Sequence, residues 1–274
     1  MTAPVTFPRG ASIALCTVSE PAEPGLWQLS MHNLPDNRLT PDFLKLALIP
    51  ALDYIELSFR KAWDAGQRQA ALVLTGETGA HKFFSNGLQL ELVPDCPRFW
   101  PDYYYAVLRR LLTFPMHTVA AVNGHSFAGG FCLMLACDQR IIKGERAWCC
   151  MNEIAFGAPI PAGMASVLQA KLSQPVVDKI LLTGHRFVAQ EALQSGIVDE
   201  IVPGTDGSQV VERALQVARE RMQFSQSNVV QAMKETLYAK TIKDLYQDET
   251  MYSPIDKHDE RLKTLLAAAA TAKL

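Results

Sequence analysis

One stretch carries residue types and spacing that could do chemistry: Thr118-Val119-Ala120-Ala121-Val122-Asn123-Gly124-His125-Ser126-Phe127-Ala128-Gly129-Gly130-Phe131, continuing through Cys132 to Asp138. It reads as a buried strand, a glycine turn and a buried helix. Residues 118–122 are a short β-branched and alanine run, long enough only for a strand. Gly124, Gly129 and Gly130 permit positive φ or the close approach of another group. Residues 131–136 are apolar on every side, as a central helix should be. Such a turn aims free backbone N–H groups, and the positive end of a helix dipole, at whatever sits before it. Three chemistries use that arrangement. A phosphate-binding loop needs Lys-Ser or Lys-Thr after the last glycine, and Phe131-Cys132 follows instead. A hydrolase nucleophile elbow needs Gly-x-Ser-x-Gly. Gly124-His125-Ser126-Phe127-Ala128 lacks the last glycine, which leaves an alternative with Ser126 as nucleophile, His258 as base and Asp199 or Asp206 as orienter. The third chemistry holds a thioester oxygen on the glycine N–H groups as it becomes an enolate.

Three motifs in register favour the third. Around the central turn lie Val122-Asn123-Gly124, Ala128-Gly129-Gly130 and Cys137-Asp138, with Pro115 ahead of the strand. Upstream is Phe83-Phe84-Ser85-Asn86-Gly87-Leu88, and downstream Met151-Asn152-Glu153-Ile154-Ala155-Phe156-Gly157. Their order and spacing, over about residues 18–220, resemble the enoyl-CoA hydratase/isomerase (crotonase) family. The resemblance implies an α/β fold, a spiral of ββα units over residues 1–200. A helical region, residues 201–274, would follow, covering the active site and packing subunits into trimers or pairs of trimers. It implies an oxyanion hole from the backbone N–H groups of Leu88 and Gly129, a substrate-binding set of Ser85, Asn86, Gly87 and Gly130, and Glu153 as the catalytic carboxylate.

The family's hydratases carry two glutamates. The one just after the glycines corresponds to Cys132 here, whereas Glu153 keeps the other, with Asn152 in place of a proline. Hydration needs one group to activate water and another to deliver a proton; a single carboxylate suits carrying one proton between two carbons. The expected reaction is therefore the double-bond shift of 3-enoyl-CoA to trans-2-enoyl-CoA in fatty-acid β-oxidation. An apolar pocket would raise the Glu153 pKa and suit it to both steps. Hydration, thioester hydrolysis and a CoA-ester-binding protein with lapsed catalysis stand as alternatives. The acyl-CoA is the substrate, with no further cofactor and no metal. Arg38, Lys45 and Lys82 are the candidates to meet CoA phosphates.

The elements that must position these residues follow from pattern. Residues 12–18 and 26–31 read as a hairpin. Thr40 caps a helix with Pro41 at its first position, and Leu44, Leu48, Leu52, Ile55 and Phe59 continue it to Gly66, with Pro50 bending or breaking it. Residues 69–76, 139–142, 147–151 and 197–202 read as strands. Residues 106–114, 163–171, 176–182, 189–195, 209–224, 228–239 and 256–270 read as helices. Aromatic residues between 99 and 105 line an acyl pocket, or else cover ordinary core or a subunit contact.

The 274 residues are 49% hydrophobic, enough for a sizeable core in one domain or one with an appendage. A net charge of −2 without a Lys/Arg block argues against nucleic acid and anionic membrane as partners. Six cysteines show no Cys-x-x-Cys pair, and most lie in apolar segments as expected of buried free thiols. The N-terminal residues have no apolar signal core and no run approaches transmembrane length, so a soluble intracellular protein is expected. Ala272-Lys273-Leu274 resembles the small-basic-leucine peroxisomal address, which predicts import into the peroxisomal matrix by its receptor.

Overall fold

A computed structural model describes residues 3–78, 81–227, 229–249 and 254–272. The N-terminal strands β1 (Val5–Phe7), β2 (Cys16–Ser19) and β3 (Leu26–Met31) form an antiparallel meander. The expected hairpin is the β2–β3 pair, with Cys16 opposite Met31; β1 adds an edge that the sequence pattern leaves out. From here the chain repeats one unit. A strand joins a large sheet, a three-residue strand joins a second sheet, and helical chain leads back. The successive pairs are β4 (Ala71–Thr75) with β5 (Phe83–Ser85), β6 (His117–Val122) with β7 (His125–Phe127), and β8 (Gln139–Lys143) with β9 (Trp148–Cys150). Then β10 (Phe187–Val188) completes the small sheet, ordered β10-β9-β7-β5, and β11 (Glu200–Val202) the large one, ordered β1-β2-β3-β4-β6-β8-β11. All large-sheet pairings from β3 to β11 are parallel. This is the spiral of ββα units that the motifs imply.

Parallel strands are buried on both faces, which is why β4 reads as an unbroken apolar run. One face meets the core that holds the helices Tyr105–Leu112 and Gly129–Ala136. The other buries Val73, Val119 and Ile141 against Val210, Ala214 and Val217 of the helix Gly207–Arg221. Each fully buried valine or isoleucine side chain contributes roughly 1.5–3 kcal/mol.

Two local features differ from the pattern reading. The Thr40 hydroxyl accepts the Phe43 N–H at 3.1 Å, as expected of a cap. Pro50, however, does not break the helix. Residues Leu44–Leu48 wind as a π-helix, with the Ile49 N–H bonded to the Leu44 carbonyl, and Ile49–Asp64 continues as α-helix. The wider turn accommodates a residue that has no N–H to give. The second difference is β7: residues 125–127, read as part of the glycine turn, pair with β5 and β9.

The six cysteines are free; five are buried and Cys96 is half-buried. Among the described residues no helix is long and apolar enough to cross a membrane. Lys273 and Leu274, the end of the candidate address, lie outside the described residues.

Candidate active site

Leaving β5, the chain turns at Gly87, whose φ of +83° is a conformation that glycine adopts without a Cβ penalty. It then lies parallel to Leu39: the Leu39 N–H donates to the Gly87 carbonyl at 2.8 Å, pairing Leu39 with Leu88. The Leu88 N–H finds no protein acceptor among the described residues. Facing it is the start of the helix Gly129–Ala136, and the N–H of a first helical residue has no helical acceptor. Ala128, just before it, sits at φ 50° and ψ −123°, a region that costs a residue with a Cβ about 1–3 kcal/mol. Its N–H is held by the Cys150 carbonyl at 2.8 Å. The two backbones touch. A Cβ on Gly87 would lie 2.8 Å from the Ala128 Cβ and 3.1 Å from the Gly129 nitrogen, and one on Gly129 would lie 2.9 Å from Leu88 Cγ.

Glu153 begins the 3-10 turn Glu153–Phe156, soon after β9. It is 6% exposed, and its Oε2 has no hydrogen-bond partner. Burial raises its pKa from 4.5 to about 7, against the opposing pull of a backbone hydrogen bond. The buried Cys132 thiol nearby is pushed up by burial first and by the Glu153 carboxylate second, so it stays neutral. Glu153, Leu88, Ala128 and Gly129 line one cavity of about 280 Å³. Arg38, Asn86, Asn152 and the exposed Glu91 give it polar edges, and Leu90, Trp100, Phe156 and Met164 an apolar wall.

The structure thus brings Glu153, Leu88, Gly129, Asn86 and Arg38 to one cavity, with Gly87 forming the turn beneath it. Ser85 and Gly130 lie under the wall instead. The Ser85 hydroxyl donates to the Asn37 carbonyl at 2.7 Å, and a Cβ on Gly130 would stand 2.6 Å from the Ser85 carbonyl oxygen. Arg38 donates to the Leu88 carbonyl and to Asp36, each at 3.1 Å, and Asp36 also accepts from the Asn86 amide at 2.7 Å. Asp36 therefore ties the two polar residues together, a role without a sequence signal. Neither Lys45 nor Lys82 lines this cavity; Lys45 borders another with Cys96, and the Lys82 ammonium lies 5.3 Å from the centre of the Phe83 ring. Of the aromatic run, Trp100 lines the cavity while Phe99, Tyr104 and Tyr105 are buried behind it.

The nucleophile elbow does not form. Ser126 sits within β7, and its buried hydroxyl donates to the Gly130 carbonyl at 3.0 Å. His258 is exposed on the helix Pro254–Ala272. Asp199 is paired with Arg140, and Asp206 caps the helix Gly207–Arg221.

Leu88, whose N–H finds no protein acceptor among the described residues, and Gly129, at a helix start, line a cavity that also holds the buried Glu153 carboxylate, on a spiral of ββα units. The chain belongs to the enoyl-CoA hydratase/isomerase family, whose profile matches residues 55–271, and is a crotonase-family acyl-CoA enzyme. It is 28% identical over 179 residues to the peroxisomal enoyl-CoA delta isomerase 1 of Arabidopsis thaliana, covering 64% of this chain and 72% of that one. The mitochondrial enoyl-CoA delta isomerase 1 of Homo sapiens is 31% identical over 193 residues, 68% of this chain and 60% of its own length. A carnitinyl-CoA dehydratase of Salmonella arizonae is 33% identical over 198 residues, 70% of each chain. Among solved structures, the apo enoyl-CoA isomerase of Mycobacterium tuberculosis aligns with a TM-score of 0.69 and 27% identity, over 83% of this chain and 93% of that one.

Proposed function

We propose that this protein shifts the double bond of a 3-enoyl-CoA to give the trans-2-enoyl-CoA. The observation that carries the proposal is Glu153, the one buried carboxylate on the cavity wall among the described residues, with an unpartnered oxygen and a pKa near 7. The alpha proton of the substrate is acidified by both the thioester and the adjacent double bond. Glu153 takes it; the electron pair moves through the carbonyl carbon onto the thioester oxygen, giving a dienolate. The Leu88 and Gly129 N–H groups meet that oxygen, each donor worth roughly 3–4 kcal/mol in the transition state. Glu153 then returns the proton to the gamma carbon and the double bond comes to rest conjugated with the thioester. A carboxylate with a pKa near neutrality serves equally as base and as acid. Hydration would need a second proton carrier; the neutral Cys132 thiol is a poor one, and Glu91, the other carboxylate on the cavity wall, is exposed to water.

Purified protein given 3-hexenoyl-CoA is expected to generate conjugated-thioester absorbance, while 2-hexenoyl-CoA is hydrated far more slowly. Rapid hydration without isomerisation would sink the proposal. The peroxisomal compartment is part of the same reading, supported by the Ala272-Lys273-Leu274 ending and by the peroxisomal Arabidopsis relative; the human relative is mitochondrial. A fluorescent fusion that keeps this C-terminus free should collect in peroxisomes and lose that location without Leu274. Diffuse or mitochondrial signal from the intact fusion contradicts it.

A further inference from the structure

The turn that presents the Gly129 N–H is not self-supporting. Ala128 is strained, and the two glycines that follow have the widest backbone choice of any residues. Something other than local preference has to hold this peptide in place. Its own carbonyl, that of Ala128, accepts the Phe131 and Cys132 N–H groups at 2.9 and 3.3 Å, and three further polar contacts brace the residues around it: the Ala128 N–H to the Cys150 carbonyl, the Ser126 hydroxyl to the Gly130 carbonyl, and the Tyr104 hydroxyl to the Gly129 carbonyl at 2.8 Å. The first two come from β7 and β9, next to the turn. The third crosses from a different element, the π-helical segment Phe99–Tyr104. The same segment places Trp100 on the cavity wall, with its ring 6.1 Å from that of Tyr104. Single π-turns are frequent at functional sites because they re-aim consecutive side chains, and here Tyr104 and Tyr105 are both fully buried. The Tyr104 oxygen also stands 3.1 Å from where a Gly129 Cβ would be, while Leu88 Cγ stands 2.9 Å from the same point. The space where a Gly129 Cβ would stand is therefore filled by the Tyr104 hydroxyl and the Leu88 side chain together. Burial, reinforced by the neighbouring Cys132 and Tyr105, holds the Tyr104 hydroxyl well above its usual range, so it remains a donor.

We propose that Tyr104 is a positioning residue for the oxyanion hole: its hydroxyl, donated to the Gly129 carbonyl and packed where a Gly129 Cβ would stand, holds Gly129 in the place from which its N–H meets the thioester oxygen. The proposal rests on the reading of Leu88 and Gly129 as the oxyanion donors.

The test is Tyr104→Phe, which removes one oxygen and keeps the ring. Turnover of 3-hexenoyl-CoA is expected to fall about 10- to 100-fold with KM changed less than about twofold, short of the loss from deleting a donor outright. The decisive readout is the infrared carbonyl frequency of bound hexanoyl-CoA carrying carbon-13 at the thioester. Wild-type protein should lower that frequency relative to free ligand, and Tyr104→Phe should lower it less. A purely structural tyrosine would lower Tm yet leave the frequency shift and turnover of the folded protein as in wild type, which overturns the proposal. If Tyr104→Phe does not fold, fluorotyrosine at position 104 keeps the shape and alters donor strength. An unchanged carbonyl shift there overturns the proposal as well. Failure of the underlying reading looks different: wild-type protein itself would leave the carbonyl frequency where free ligand has it.

Discussion

Glu153→Gln will reduce turnover of 3-enoyl-CoA by at least about 100-fold while leaving acyl-CoA binding nearly intact, because glutamine keeps size and polarity but cannot carry a proton. The wild-type pH profile should agree. In kcat/KM the base must be ionised, so activity is lost as pH falls through about 7, the Glu153 pKa. The same shift predicts an opposite effect on stability. Below pH 4.5 Glu153 is protonated both folded and unfolded, and no cost arises. Above about 7 it is ionised in both states and the folded protein bears the whole burial cost, on the order of 3 kcal/mol. Glu153→Gln should therefore melt higher than wild type at pH 8, with the advantage shrinking as pH falls from 7 toward 4.5. An inactive variant that is also less stable at pH 8 would mean the carboxylate is a structural member of the fold. An active variant would remove Glu153 from the chemistry.

Gly87→Ala should be nearly as damaging to activity and more damaging to the fold. The added methyl meets Ala128 Cβ at 2.8 Å, the Phe127 carbonyl oxygen at 2.9 Å and the Gly129 nitrogen at 3.1 Å, at a φ of +83°. Two of these three are backbone atoms, so relief requires the Leu88 and Gly129 strands of chain to part. We expect about 1–3 kcal/mol of destabilisation from overpacking and, in the folded fraction, a loss of kcat approaching the 10²–10³-fold of a missing oxyanion donor. Gly66→Ala is the matched control: its φ is +92°, but a Cβ there meets nothing within 4 Å. It should lose some stability and no specific activity. Equal activity losses in the two variants would show that strain alone, rather than the Leu88–Gly129 contact, is responsible.

The long parallel strands and most of the helices were legible in the sequence because each carries its own pattern. An apolar run such as 71–75, short and closed by Gly76, reads as a buried strand, and Thr40-Pro41 announces a helix start. The small sheet was less legible. β9 is contained in the strand read over 147–151, but β5 and β7 are three residues each, too short to show an alternation, and they exist through pairing rather than through local preference. The π-turns at Leu44–Leu48 and Phe99–Tyr104 answer to prolines and to packing that a periodic reading does not resolve. At the site, Glu153, Gly87 and Gly129 stood out through motif spacing. Phe156 and Met164 did not, since an apolar residue on a cavity wall has the same sequence signature as one in the core, and Asp36 acts through hydrogen bonds to Arg38 and Asn86 that no motif announces. The elevated pKa of Glu153 arises from burial by distant segments, so the sequence could supply only the expectation of an apolar pocket.

The central claim, that one carboxylate lifts a proton from the alpha carbon and sets the same proton on the gamma carbon, is tested most directly by label transfer. The substrate is 3-hexenoyl-CoA carrying deuterium at the alpha carbon, converted in ordinary water and stopped early. Glu153 is buried and its Oε2 has no protein partner, so its captured deuteron exchanges slowly compared with return. We predict that a measurable fraction of the product carries deuterium at the gamma carbon. Product formed at full rate with only solvent hydrogen there, and the same outcome from Glu153→Gln, would contradict the single-carboxylate account.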